Sequence, residues 1–164
     1  MVNDIQSVER RRFLVRLAGV IALAAPGRRS LAQLPSSVLE PTPIRVWKSS
    51  TCTCCKKWVD HIRANGFALE VHDEEEMEQV KDELGVPAKV RSCHTAQVGS
   101  YLIEGHVPAS DIRRVLKDRP KITGLAVPEM PPLTPGMAPP GDKPRDFEVL
   151  AFLSDGTTSI FARH

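Results

Sequence analysis

The chain has 164 residues, of which 41% are hydrophobic and 26% are charged, and its formal net charge is +2. This length suits one domain with room for a signal segment and a linker. Six of the 22 basic residues but only two of the 20 acidic residues fall within residues 1–32, so the rest of the chain is weakly acidic. That balance excludes the basic surface of a nucleic-acid-binding domain, and we expect no nucleic-acid partner.

The first 32 residues have the pattern of an export signal. Arg10-Arg11-Arg12-Phe13-Leu14 resembles the twin-arginine pattern, an apolar run follows over residues 17–25, and Ser30-Leu31-Ala32 suits cleavage before Gln33. The apolar run is shorter than the roughly 20 residues that a membrane-spanning helix needs. We therefore expect a periplasmic protein without a stable membrane anchor after cleavage, exported by the twin-arginine route, with the general secretory route as the alternative.

The remaining chain alternates strand-like and helix-like segments. Residues 33–43, rich in proline and serine, predict a linker, and residues 44–164 predict one folded domain. Predicted strands cover residues 44–48, 67–72 and 98–104, predicted helices cover 55–65, 74–84 and 109–118, a proline-rich loop covers 125–144, and a hairpin joins 147–153 to 158–162. This order predicts a thioredoxin-like α/β sandwich with a central mixed sheet, flanking helices and a C-terminal β-hairpin.

Three of the four cysteines fall in Cys52-Thr53-Cys54-Cys55, on the predicted turn between the first strand and the first helix. The N-terminus of a helix carries a partial positive charge, which lowers the pKa of a nearby thiol. The turn therefore favours thiolates, either as nucleophiles or as metal ligands.

The fourth cysteine, in Cys93-His94, lies before the third predicted strand, where a thioredoxin-like fold brings it toward the cysteine turn. Thiolates and imidazole are soft ligands that select Cu(I), zinc or iron–sulfur clusters. Crowded thiolates can bridge metals, so a multinuclear Cu(I) site is reasonable, whereas structural zinc favours two separated Cys-x-x-Cys pairs and is the weaker prediction. His106, Met130 and Met137 are secondary candidate ligands, with burial or packing as the alternative role for each.

Two other interpretations of the cysteines stay open. Cys52 and Cys55 have the spacing of a thiol–disulfide oxidoreductase pair, although the additional Cys54 would compete as an exchange partner. The four cysteines could instead form two structural disulfides, for which three crowded cysteines are poorly placed. No catalytic residue is assigned on either interpretation.

Seven blocks of the chain, in order, resemble the periplasmic CxCC metal-binding family that includes the copper-resistance protein CopG, a domain formerly of unknown function. The blocks are Cys52-Thr53-Cys54-Cys55-Lys56-Lys57-Trp58-Val59, Ala64-Asn65-Gly66-Phe67, Gly85-Val86-Pro87, Ser92-Cys93-His94-Thr95-Ala96, Glu104-Gly105-His106-Val107-Pro108-Ala109, Gly124-Leu125-Ala126-Val127-Pro128 and Pro135-Gly136-Met137.

The resemblance implies a thioredoxin-like fold and copper bound by Cys52, Cys54, Cys55 and Cys93, with His94 as a further ligand. It also implies a role in copper tolerance, including interconversion of Cu(I) and Cu(II). Copper ions are then the expected partners, together with other periplasmic copper-handling proteins.

Overall fold

The structure is a computed structural model that describes residues 43–164, so the predicted export signal and nearly all of the predicted linker lie outside the described residues. Within this range, three α-helices and a short 3-10 helix alternate with seven strands. The strands are β1 (Ile44–Lys48), β2 (Leu69–Asp73), β3 (His94–Val98), β4 (Tyr101–Gly105), β5 (Gly124–Val127), β6 (Glu148–Phe152) and β7 (Thr158–Arg163). The helices are α1 (Thr53–Ala64), α2 (Met77–Glu83) and α3 (Ala109–Asp118), and the 3-10 helix is Ala88–Val90.

The strands form one mixed sheet in the order β2-β1-β3-β4-β5-β6-β7. Two strand pairs are parallel, β1 with β2 and β4 with β5, and the other four pairs are antiparallel. The predicted mixed α/β class and the C-terminal hairpin, which is β6–β7, are thereby confirmed. The predicted order of a strand, the cysteine turn and a helix is present: β1 is followed by Cys52 at the N-cap of α1, and Cys54 and Cys55 lie in the first turn of α1, so the cysteine turn (residues 52–55) overlaps the start of that helix.

One strand prediction and one loop prediction were wrong. The single strand predicted over residues 98–104 is the hairpin β3–β4, which turns at Gly99 with a φ of +58°. Residues 124–127, mostly assigned to the proline-rich loop, form β5. Neither segment shows a clear strand pattern in the sequence, because β3 begins with polar residues and β5 runs directly into Pro128. In the fold, hydrogen bonds to a neighbouring strand on each side stabilise both segments.

The sheet buries apolar side chains on both faces. One face packs against the apolar sides of α1 and α3, including Trp58, Ile62, Ile112 and Val115. The opposite face, through Leu102, Ala126 and Phe152, packs against Val86 and Val90 in the segment after α2. Alternate residues of β4 and β5 therefore face different layers, as the pleat of a strand requires.

Strand register brings the ends of several strands to one edge of the sheet. Lys48, the last residue of β1, lies opposite His94, the first residue of β3. Thr95 lies opposite Glu104 near the end of β4, and Gly105 pairs with Val127 at the end of β5. The cysteine turn, the segment before β3, the segment after β4 and the loop after β5 consequently meet at this edge.

A buried carboxylate holds the segment before β3 in place. Glu104 is fully buried; its carboxylate accepts the Ser92 backbone N–H at 2.6 Å and the Thr95 hydroxyl at 2.7 Å. The buried Lys81 ammonium forms an ion pair with Glu104 and also donates to Thr95 Oγ1 at 2.8 Å. The hydrogen bonds of Glu104 therefore fix both residues that flank the Cys93-His94 dipeptide.

No helix among residues 43–164 is long and apolar enough to cross a membrane.

We predict that Lys81→Met lowers the free energy of unfolding by about 3–5 kcal/mol, because it leaves the Glu104 charge buried without its counter-ion. Lys48→Met is the matched control, since Lys48 pairs with Asp73, whose side chain is 56% exposed and stays solvated. Urea denaturation of the metal-free variants measures both losses. Equal losses in the two variants would contradict the assigned role of the buried pair.

Candidate metal centre

The cysteine turn begins α1. Cys52 is the N-cap residue, and its Sγ accepts the Cys55 backbone N–H at 3.3 Å. Cys52 and Cys55 are joined by a disulfide, whereas Cys54 and Cys93 are free. The Cys54 Sγ lies 3.5 Å from the Cys52 Sγ, so the three sulfurs of the turn face one small volume.

Cys93 reaches this volume from the other side, because it immediately precedes β3 and β3 is the neighbour of β1. The Sγ atoms of Cys52, Cys54, Cys55 and Cys93 all lie within 4.8 Å of one another. That spacing is short enough for one metal ion, or a small group of ions, to contact all four sulfurs once the disulfide is reduced.

Cys93 also belongs to a second group of potential ligands. Its Sγ lies 3.2 Å from His94 Nδ1 and 3.2 Å from His106 Nε2. His94 begins β3, and His106 directly follows β4, so the antiparallel β3–β4 pairing brings the two rings together at a centroid distance of 5.3 Å. The four sulfurs and two imidazoles form one continuous donor set that shares Cys93.

Burial sets the protonation of these groups. Burial, together with the neighbouring Cys54 sulfur, raises the pKa of the Cys93 thiol to about 12. Burial lowers the pKa of His106 to about 4. Burial, and then the positive charges that His106, Lys81 and Lys48 can carry, lower the pKa of His94 well below its ordinary value. At neutral pH both imidazoles are therefore neutral, and Cys93 is a thiol that must lose a proton to bind a metal.

The proline-rich loop after β5 packs against the cysteine turn at Gly136. Gly136 has a φ of +89°, and a Cβ there would lie 2.8 Å from the Trp58 backbone nitrogen and 2.9 Å from the Cys54 carbonyl oxygen. Such distances leave no room for a larger residue without a shift of backbone. The tight contact places the loop directly beside the sulfurs.

The same loop reaches His106 through Thr134, which is fully buried and lies 3.2 Å from His106 Nδ1. Trp58 supports this side of the site, because its indole N–H donates to the Val107 carbonyl at 2.9 Å and its ring lies 4.3 Å from that of His94. Helix α1, β3 and the segment after β4 are thus held together around the donor set.

The structure brings together six of the eight predicted ligands. Cys52, Cys54, Cys55, Cys93 and His94 converge, and His106, predicted as secondary, lies in the same donor set. Met130 is 43% exposed, and Met137 follows Gly136 in a partly buried position. Their role as ligands stays a prediction.

Sequence reasoning missed Thr134 and the Lys81–Glu104 pair. Nothing in the local pattern of a threonine among prolines, or of a lysine on a charged helix, predicts burial. Their partners lie 28 and 23 residues away in sequence, and only the folded chain brings them into contact.

The donor set fits copper. Thiolate sulfur and neutral imidazole are ligands that Cu(I) prefers. The Nε2 atom of His94 is buried and has no hydrogen-bond partner among the described residues, which is unusual for a polar atom.

The free Cys54 and Cys93 argue against a scaffold held by two disulfides, because that alternative requires all four cysteines to be paired. The single Cys52–Cys55 disulfide is compatible with both of the other interpretations.

The fold and the site define a mixed α/β protein with a cysteine–histidine cluster able to bind metal. Residues 90–137 match the sequence model of a family described as "Protein of unknown function, DUF411". Two solved structures, of the copper resistance protein CopG in its forms 1 and 2, are each 42% identical to this chain with a TM-score of 0.69. Each match covers 76% of this chain. It covers 99% of the CopG chain in form 2 and 98% in form 1. The curated proteins contain no match.

The chain belongs to the family of the copper resistance protein CopG, since the two are 42% identical over almost the full length of the CopG chain.

We predict that Gly136→Ala destabilises the protein more than Gly141→Ala does. Gly141 has a similar φ of +92° but no atom within 4 Å of a Cβ, so its substitution reports backbone strain alone, about 1–3 kcal/mol. Gly136→Ala adds displacement of the loop from the Trp58 and Cys54 backbone. Urea unfolding of both variants measures the difference, and equal losses would contradict the tight loop contact.

We predict that the metal-free protein loses stability as pH falls from about 6.5 toward 4. The unfolded chain binds a proton at His106 near pH 6.5, whereas the folded chain resists it until about pH 4. The stabilising contribution is thus complete above the unfolded pKa and is lost as pH falls through the folded pKa, amounting to about 3 kcal/mol. In His106→Gln, chemical unfolding between pH 7 and 4 should show a shallower loss, and an unchanged slope would contradict this.

Proposed function

We propose that this chain is an exported copper-binding protein that holds Cu(I) as its cargo on Cys52, Cys54, Cys55 and Cys93, for copper tolerance or copper redox handling. His94 and His106 complete the donor set. The observation that carries the proposal is the convergence of four sulfurs within 4.8 Å, with two neutral imidazoles beside them, in a relative of a copper resistance protein.

The number and spacing of the donors favour more than one copper ion. A single Cu(I) uses two to four ligands, and six donors share this volume with Cys93 common to both groups. A bridging thiolate can bind two ions at once. We therefore propose a multinuclear Cu(I) site, with Cys93 as a bridging ligand.

The Cys52–Cys55 pair supplies a route for copper redox chemistry. When the two thiols are reduced, they can give one electron each to two Cu(II) ions, which yields two Cu(I) ions, the Cys52–Cys55 disulfide and two protons. Cys54, Cys93 and the two imidazoles keep their donor atoms in the disulfide state and can hold Cu(I) after the transfer. A thiol reductant would return the pair to its reduced state.

A thiol–disulfide oxidoreductase is the second candidate function, and the disulfide between Cys52 and Cys55 at the start of α1 favours it. Cys52 is partly exposed and Cys55 is buried, so Cys52 is the sulfur that an incoming thiolate could attack. On this function the pair would exchange with other proteins, and Cys54 and Cys93 would be dispensable.

Export to the periplasm is part of the proposal. It is supported by the twin-arginine pattern, the apolar run and the cleavage pattern within residues 1–32, followed by the linker of residues 33–43. The zinc alternative remains weaker, because the cysteines do not form two separated pairs.

We predict that the reduced protein, given Cu(I) without oxygen and then desalted against a Cu(I) chelator, retains more than one copper per chain by elemental analysis. Cys54→Ser and Cys93→Ser should each weaken Cu(I) affinity by more than about a hundredfold, beyond the loss typical of residues that only support a ligand. Thr53→Ser is the matched control, because Thr53 is an exposed residue of the same turn and offers no soft ligand.

Full copper binding in both cysteine variants would show that the ligand assignment is wrong. No retained copper in the parent protein, together with reversible reduction of the Cys52–Cys55 disulfide by a mild thiol, would favour the oxidoreductase.

A further inference from the structure

Thr134 makes a directional pair of hydrogen bonds beside the donor set. Its hydroxyl donates to the Pro131 carbonyl oxygen at 2.9 Å, and its Oγ1 lies 3.2 Å from His106 Nδ1. A carbonyl oxygen can only accept, and the contact with Pro131 is the shorter of the two, so we assign the single hydroxyl proton of Thr134 to Pro131. With that assignment, the contact with His106 uses Thr134 Oγ1 as the acceptor and Nδ1–H as the donor.

This direction determines the state of the other imidazole nitrogen. A neutral imidazole carries one proton, so protonation at Nδ1 leaves Nε2 with a free lone pair. His106 Nε2 is the atom that lies 3.2 Å from Cys93 Sγ. The hydrogen bonds of Thr134 thus present an unprotonated nitrogen to the sulfur that both ligand groups share.

The segment that carries Thr134 is fixed by hydrogen bonds within its own loop and by packing against α1. Within the loop, the Met137 and Ala138 backbone N–H groups each donate to the Thr134 carbonyl at 2.9 Å. Gly136, two residues further on, packs against the backbone of Cys54 and Trp58. Proline at 131, 132 and 135 restricts the backbone further. Thr134 is therefore fixed relative to the cysteine turn and not only to its own loop.

We propose that Thr134 is a positioning residue of the copper site, which sets the tautomer and ring orientation of His106 so that Nε2 binds copper. The inference rests on the proposed function and deepens it, because it assigns the ligand atom of His106 and gives the proline-rich loop a role at the site. A ligand histidine commonly donates its second ring N–H to a fixed acceptor, and loss of that acceptor typically weakens metal affinity about tenfold to a hundredfold.

The first test needs no copper and no variant. Nitrogen-15 NMR of the imidazole groups in the reduced, metal-free protein at neutral pH distinguishes the two neutral tautomers. We expect His106 to be protonated at Nδ1. A ring protonated at Nε2 would overturn the proposal, whether or not the protein binds copper.

The second test compares Thr134→Val with Thr134→Ser. Valine keeps the shape of threonine and removes the hydroxyl, while the Thr134 backbone N–H can still donate to Pro131 at 3.3 Å. Serine keeps the hydroxyl and removes only a methyl group. By competition with a chromophoric chelator, we expect Thr134→Val to weaken Cu(I) affinity about tenfold to a hundredfold and Thr134→Ser to stay close to the parent.

A double-mutant cycle separates positioning from a general effect on folding. In the His106→Gln background, Thr134→Val should cause no further loss of Cu(I) affinity, because the residue it positions is gone. Equal losses in the parent and His106→Gln backgrounds would overturn the proposal, as would equal losses from valine and serine. If the parent retains no copper, the proposed function fails, and the NMR tautomer still decides the role of Thr134.

Discussion

The site depends on the hydrogen bonds that the carboxylate of Glu104 accepts. The carboxylate is buried without exposure to solvent, and it holds Ser92 on one side of the Cys93-His94 dipeptide and Thr95 on the other. Burial raises the pKa of Glu104, while Lys81 and the two hydrogen bonds act in the opposite direction. A buried ion pair is costly to desolvate, and apolar residues often stabilise a fold equally well. Its value here is positional, because it fixes the segment that brings Cys93 and His94 to the cysteine turn.

Strand register then brings together four separate parts of the chain, three that carry the donors and the loop that supports them. The end of β1, the start of β3 and the ends of β4 and β5 share one edge of the sheet, so the cysteine turn, Cys93-His94, His106 and the proline-rich loop need no long connections to converge. The donors therefore lie in, or directly beside, α1, β3 and β4. Such support would keep the donor atoms near one geometry before a metal ion binds, which lowers the ordering cost of binding.

The chemistry of the site follows from crowding and burial together. Burial keeps both imidazoles neutral and Cys93 protonated, so binding of a metal ion by this donor set would release a proton from Cys93 and none from the histidines. Crowding places the Cys54 sulfur 3.5 Å from the Cys52 sulfur, beside the Cys52–Cys55 disulfide. The same arrangement can thus offer four sulfurs or two, depending on the redox state of Cys52 and Cys55, and this would link metal binding to thiol chemistry.

The sequence by itself determined the local features of this protein. Apolar spacing located α3 at residues 109–118 and α1 to within two residues, Asp155-Gly156 marked the terminal hairpin, and the crowding of Cys52, Cys54 and Cys55 indicated soft-metal or thiol chemistry. These features depend on neighbours a few residues apart, which a pattern can show. Only the tertiary structure decided that β3 and β5 exist, that His106 joins Cys93, and that Thr134 and Glu104 support the site. Each of those contacts links residues between nine and 54 positions apart, and the order and register of the strands, which no local pattern encodes, set every one of them.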